Sequence, residues 1–184
     1  MKIPVVGFDP SLRNWGIAES LLDLSTGFLD TPHLTLVQPQ DLEGKQVRQN
    51  SSDMYLAQQL AGPVIEAAKR AKAIFVEVPV GSQSARAMAS YGVCVGVLGA
   101  VMALGIPLIE VTATEVKLVL SGDRVATKAK MIQAALDYYP DANFPRQRGR
   151  LVAKAEHVAD AIGAIHAGVR TPMFSNFMRL YEKV

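Results

Sequence analysis

Four side chains in this sequence have the types and positions to hold a divalent metal. Asp9 closes the run Val5-Val6-Gly7-Phe8, whose β-branched and aromatic residues suit a buried strand. Pro10, Ser11, Asn14 and Gly16 follow it, so a tight turn and a second strand come next. Glu77 closes another apolar run, Ala73-Ile74-Phe75-Val76, just before Val78-Pro79. A charge at the end of a buried strand is expensive unless a cation or a donor compensates it. His157 and Asp160 stand at i and i+3 of a helical run, so they share one face. Glu156 lies about 100° around that helix and is the weaker candidate.

Carboxylates with one imidazole form a mainly oxygen donor set. That set suits Mg²⁺, with Mn²⁺ as substitute, rather than Zn²⁺. Two such ions about 4 Å apart are the standard arrangement for phosphodiester hydrolysis, one activating water and the other stabilising the leaving oxygen. Taken singly, each residue also has an ordinary role. Asp9 can close a turn, Glu77 can pair with Lys or Arg, His157 can sit on a helix surface or in a core, and Asp160 can be solvated. The combination is what points to a metal centre. His33 and His166 have no comparable context.

The elements that must position these groups follow from periodicity and punctuation. Strands are expected over 16–24 and 34–37, forming an antiparallel meander with the first. A polar loop over 41–50 leads to a helix over 54–70, capped by Ser52 or Asp53 and kinked or divided at Pro63. The strand over 73–78 then follows a helical crossover, so it lies parallel to an earlier strand. If that neighbour is the first strand, Asp9 and Glu77 sit side by side. A helix over 84–104 carries Gly92, Gly96, Gly99 and Ala103 on one nearly flat face, which suggests close backbone packing. A strand over 108–111 follows, and Thr112 with Glu115 makes a capping box for a short helix. Further helices are expected over 127–138 and 152–169, separated by a loop over 141–149. A last one, after Pro172, carries Phe174, Phe177, Met178 and Tyr181 as an apolar stripe.

Composition narrows the class. The chain of 184 residues has a net charge of only +2, too small to name a partner. Basic residues thicken between Lys117 and Lys154. The single cysteine, Cys94, excludes an intrachain disulfide and suits a reducing compartment such as the cytoplasm. No signal-peptide pattern opens the chain, because Asp9 interrupts a short apolar run. Residues 93–109 lack charge over nearly the roughly 20 residues of a membrane span. Gly105 and Pro107 break that stretch, so it reads as a buried helix and then a strand, with no membrane partner. There is no internal repeat and no long linker, so one domain over 1–184 is expected.

Asp9-Pro10-Ser11-Leu12-Arg13-Asn14 with Gly16 resembles the first motif of the RuvC family of Holliday-junction resolvases. Val76-Glu77, followed by Ser84-Ala85 and by Gly92 with Gly96, looks like its second acidic motif and the helix after it. Glu115-Val116-Lys117 and Thr127-Lys128-Ala129-Lys130 resemble its lysine-bearing segments. His157-Val158-Ala159-Asp160-Ala161 resembles its terminal acidic helix. The motifs come in the family's order and cover nearly the whole chain.

The resemblance implies an RNase H-like α/β fold: a five-stranded mixed sheet, three antiparallel strands then two parallel, flanked by helices. It implies a Mg²⁺-dependent endonuclease that works as a homodimer on four-way DNA junctions. Asp9, Glu77, His157 and Asp160 would be the metal ligands. Lys117 and Lys128 would assist at the scissile phosphate. Arg13 and Lys130 lie within the motifs and join Arg146, Arg148, Arg150 and Lys154 as candidate DNA contacts. The sequence departs from the family at Val80, where some members carry an aromatic residue. Tyr91 and the Arg-rich loop are its candidate substitutes. Two other readings stay open: a broader flap or fork nuclease of the same fold, and a junction-binding protein without catalysis. An actin-like phosphotransferase would need a second domain and a second phosphate loop.

Overall fold

Alternation along the first strand divides the hydrophobic interior in two. In the computed structural model, which describes residues 1–44 and 48–181, β1 (Lys2–Asp9) is the middle strand of a five-stranded sheet of order β3-β2-β1-β4-β5. β2 (Trp15–Asp23) and β3 (His33–Val37) continue from it as an antiparallel meander. β4 (Ala73–Glu77) and β5 (Leu108–Val111) join parallel on its other side. The α/β class and the mixed sheet are those expected from the sequence.

Val6 and Phe8 of β1, with Ile74 and Val76 of β4, face one side of the sheet. There they meet Leu56, Leu60 and Val64 of α1 (Gln49–Arg70) and Cys94, Val97 and Val101 of α2 (Ala85–Met102). Ile3, Val5, Ala73 and Phe75 face the other side, under α3 (Ala113–Ser121), α4 (Lys128–Tyr138) and α5 (Ala155–Gly168). Phe174 of α6 (Pro172–Tyr181) packs its ring 5.4 Å from that of Phe75. Asp9 shares the parity of Val5, and Glu77 that of Phe75, so both carboxylates look toward α5. Phe8 is in register with Val76, which sets the next residues, Asp9 and Glu77, abreast on neighbouring strands.

α5 is made of small residues and lies almost directly on the sheet backbone. Ala155, Ala159, Ala161, Gly163, Ala164, Ala167 and Gly168 are all buried in it. Gly7 and Gly16 complete the fit from below. A Cβ on Gly7 would fall on the Ala161 carbonyl, and one on Gly16 on the His157 carbonyl. The close approach fixes where the His157 turn sits above the end of β1.

Several local expectations change. α1 starts at Gln49 behind Arg48, and neither Ser52 nor Asp53 caps it. Asp53 instead accepts both terminal nitrogens of Arg86, each at 2.7 Å. The helix runs through Pro63 unbroken. α2 is not a buried helix: only Cys94, Val97, Leu98 and Val101 are covered. A Cβ on Gly92, Gly96 or Gly99 would meet nothing within 4 Å, so its glycines face open space rather than a close neighbour. By length and composition alone α2 could cross a membrane, yet its covered side packs on α1 and the sheet. The expected loop over 141–149 holds a hairpin, β6 (Arg146–Gln147) with β7 (Arg150–Leu151). Its turn residues Arg148 (φ 50) and Gly149 (φ 78) both adopt the left-handed backbone that a tight hairpin turn requires. α5 therefore begins at Ala155 rather than 152. Thr112 caps α3 as expected, and Thr127 caps α4. Part of the expected 41–50 loop and the Tyr181 side chain lie outside the described residues.

Candidate active site

β1 and β4 deliver Asp9 and Glu77, and the first turns of α5 deliver Glu156, His157 and Asp160. α3 adds Lys117 and the start of α4 adds Lys128. These seven side chains line one cleft of about 250 Å³, with Ala113, Ala126 and Met131 completing its wall. Two local reasons place them there. The parallel register sets the two strand-end acids abreast, and the Gly7 and Gly16 cradle presses α5 onto them.

His157 Nδ1 and Asp9 Oδ2 share a hydrogen bond of 2.6 Å. Across the cleft, Lys128 Nζ donates to Glu156 Oε1 at 2.6 Å. The same Glu156 oxygen lies 3.7 Å from His157 Nε2. Glu156, the weaker candidate by sequence, is thus part of the cleft. It sits in the first turn of α5, and only the tertiary approach of Lys128 on α4 turns it inward.

The acids are strained toward neutrality. Burial raises the pKa of Asp9, and the His157 hydrogen bond opposes this only in part. Glu77 is pushed up to about 7, first by burial and then by the Asp9 charge. Asp160 is pushed up to about 8 by burial, with Asp9, Glu77 and Glu156 adding repulsion. Asp160 Oδ1 is buried with no hydrogen-bond partner. A buried orphan oxygen among like charges is what a hard cation would satisfy.

Among the described residues, no three His, Cys, Asp or Glu side chains are drawn together as a formed ligand set. The four predicted ligands share a cleft, with His157 Nδ1 2.6 Å from Asp9 Oδ2. The donor set still fits a divalent metal. Asp9, Glu77 and Asp160 would supply oxygens to it and His157 a ring nitrogen.

A solved structure of Thermus thermophilus RuvC in complex with a Holliday-junction substrate superimposes on this chain with a TM-score of 0.66. The match covers 96% of this chain and 96% of that one, at 17% sequence identity. The chain has the RuvC fold. A second Thermus thermophilus RuvC structure matches with a TM-score of 0.59 at 18% identity, covering 95% of this chain and 96% of that one. No family model and no curated protein sequence matches the chain.

The RuvC fold leaves the remaining predicted DNA contacts outside the cleft. Arg13 pairs with Asp41 at 2.6 Å and Lys130 with Asp123 at 2.7 Å, both near the surface. Arg146, Arg148 and Arg150 stand exposed on the β6–β7 hairpin, where Arg146 Nη1 donates to the Gly149 carbonyl at 3.2 Å. Lys154 is the exposed residue preceding α5. Val80 is 91% exposed, and Tyr91 is half-buried on α2.

Proposed function

We propose that the chain is a structure-selective DNA endonuclease that resolves four-way junctions by divalent-metal-dependent phosphodiester hydrolysis, acting as one unit over 1–184. The observation that carries this reading is the shared cleft of Asp9, Glu77, His157 and Asp160 with Lys117 and Lys128 beside them. A neutral-ligand pocket would not gather four carboxylates, Glu156 included, against two lysines. The fold is shared with a RuvC bound to a Holliday-junction substrate, which supports the choice of substrate.

In this reading Asp9, Glu77, Asp160 and His157 hold the metal. When bound, Mg²⁺ supplies an activated water and a counter-charge for the leaving oxygen. The chain's own groups do the rest. Lys117 and Lys128 draw the phosphate into the cleft and stabilise the charge that develops on it. His157 orients Asp9. The hairpin arginines and Lys154 contact the DNA backbone and fix its register without reading bases. The junction is two-fold, so a two-fold protein matches it and cuts one strand per subunit. The uncharged outer face of α2, with Val95 at 48% and Met102 at 57% exposure, is the surface offered for that dimer.

The deciding experiment is nicking of a synthetic mobile junction with Mg²⁺, comparing wild type with Asp9→Asn. The wild type cuts, and the variant binds without cutting. Cutting by a correctly folded Asp9→Asn protein would refute the metal-site assignment. Equal cleavage of forked and flapped duplexes would shift the reading to a broader branched-DNA nuclease, for which the exposed Val80 leaves room. Binding with no Mg²⁺-dependent cleavage would make it a junction-binding protein.

A further inference from the structure

We infer that Gln147, on the hairpin of β6 and β7, is a specificity-determining residue that reads an adenine from the major groove of one junction arm. The inference rests on the nuclease reading above and adds a base preference to it.

The register of the hairpin decides which side chains point where. Arg146 pairs with Leu151 and Gln147 with Arg150. Successive pairs of a ribbon face opposite sides. Leu151 is half-buried and packs on the core under α3, α4 and α5. The Gln147–Arg150 pair is therefore turned outward, and the turn adds Arg148 to it. Among the described residues, Gln147, Arg148 and Arg150 alone line one surface hollow. No carboxylate pairs with either guanidinium among the described residues. The ribbon is held at both ends. Phe144, just before it, is buried in the core, and Val152 N–H donates to the Pro145 carbonyl at 3.2 Å. Arg146 Nη1 straps the turn by donating to the Gly149 carbonyl at 3.2 Å. Arg148 sits at φ 50, a left-handed backbone that Asn, Asp or Gly adopts more easily. The tip thus carries charge where a smaller residue would turn better.

Two guanidiniums around a hollow without a carboxylate suit a polyanion. A two-stranded ribbon enters the major groove of DNA, about 12 Å wide, and not the minor groove, about 6 Å wide. Arg148 and Arg150 then meet phosphates on the groove's rim. Gln147 beside them is uncharged and adds little to that attraction. Its carboxamide instead presents a donor and an acceptor side by side. Adenine shows the complementary pair in the major groove, the N7 acceptor next to the N6 amino donor. Guanine shows two acceptors there, N7 and O6, which a fork of one donor and one acceptor cannot match. The hairpin also sits close to the cleft along the chain. Arg150 precedes Glu156 by six residues, and at about 3.5 Å per residue the ribbon lies within about 20 Å of the cleft. With the reach of the side chain, the adenine falls within about eight base pairs of the scissile phosphate, at about 3.4 Å each.

The test reads base preference in binding, apart from cleavage. Four-way junctions with random arms are presented to metal-free protein, and the bound fraction is sequenced. Mg²⁺ then marks the nick in the same pool. The wild type enriches adenine at one position within the expected span. Gln147→Ala loses that preference, a change of about 5- to 150-fold for the preferred sequence, and binds sequences without the adenine as the wild type does. Gln147→Arg moves the preference to guanine, whose N7 and O6 a guanidinium matches. Circular dichroism confirms that both variants fold. Equal weakening of Gln147→Ala on every sequence would make the residue a phosphate contact and overturn the inference. An adenine preference that is absent from the wild type, or that survives in Gln147→Ala, would overturn it as well. Junction nicking without that preference leaves the nuclease reading standing. The preference without nicking refutes the nuclease reading and upholds the base contact. Absence of junction binding refutes both.

Discussion

Gly16→Ala should damage catalysis through a methyl group that touches no substrate. The added Cβ would land on the His157 carbonyl oxygen, far inside the 3.0 Å that real Cβ contacts respect, with the Val158 nitrogen at 3.0 Å behind it. Reaching an ordinary carbon–oxygen separation of about 3.3 Å requires the His157 turn of α5 to lift by about 1 Å. The neighbour is backbone, so no side chain can swing aside. Overpacking of this kind costs about 1–3 kcal/mol of stability. The same lift moves His157 and Asp160 away from Asp9 and Glu77, and a displacement of about 1 Å costs about 10²-fold in rate. The control is Gly62→Ala on α1, where an added Cβ meets nothing within 4 Å. That change should stabilise the helix by about 0.8–1 kcal/mol and leave cleavage alone. Urea midpoints and junction-cleavage rates, taken where circular dichroism shows each variant folded, separate the two effects. A Gly16→Ala protein with wild-type midpoint and wild-type rate would mean that α5 does not rest on β2 as described.

Three further outcomes follow from other parts of the molecule. His166 is buried at 6% exposure beside the Tyr139 hydroxyl, and its pKa is pushed down to about 4 by burial and then by Arg170. The unfolded chain therefore binds this proton more readily, so stability is complete above the ordinary pKa of 6.5 and falls as pH drops toward 4, by about 3 kcal/mol in all. His166→Gln should flatten that slope in denaturation curves across the window, and an unchanged slope would assign it to other groups. Asp160 has the opposite sign: its pKa rises from 3.8 to about 8 on folding, so metal-free protein loses stability as pH climbs through that range. Asp160→Asn should raise the metal-free Tm at alkaline pH, about 2–4 °C for each kcal/mol relieved, and abolish the Tm gain from Mg²⁺. A metal-free wild type with a flat pH profile would contradict this. Replacing Arg146, Arg148 and Arg150 together by Ala should lower the salt dependence of DNA binding by a slope of about 2–3, at about 0.9 per lost phosphate contact. An unchanged slope would remove the hairpin from the DNA surface.

Much of the sheet was legible because its strands end on punctuation. Pro10, Pro39 and Pro79 close β1, β3 and β4 in the sequence, and the helical crossover before β4 dictates a parallel partner. Asp9 and Glu77 could be read as neighbours for the same reason. What failed was whatever depends on a second element. The hairpin at Arg146 to Leu151 has two-residue strands, too short and too polar for any alternation, and only its turn backbone marks it. The apolar composition of α2 announces a buried face but not its width, and α1 and the sheet cover only one side. The glycines of α2, which suggested contact, meet nothing, whereas Gly7 and Gly16 inside strands are the ones pressed against a helix. Glu156 was underrated because helical spacing says where a side chain leaves its own axis, not which lysine of another helix turns it round.

The bond between Asp9 and His157 joins residues 148 positions apart in the chain. β1 leaves the ribosome well before α5. A nascent chain that already displays Asp9, and later Glu77, has no helix to press against them and no histidine to orient the first. Contacts of such long separation form late and slowly. The cleft therefore comes into being only once α5 is available to fold. Chains that stop short of α5 would therefore lack the assembled cleft altogether rather than carry a weakened one.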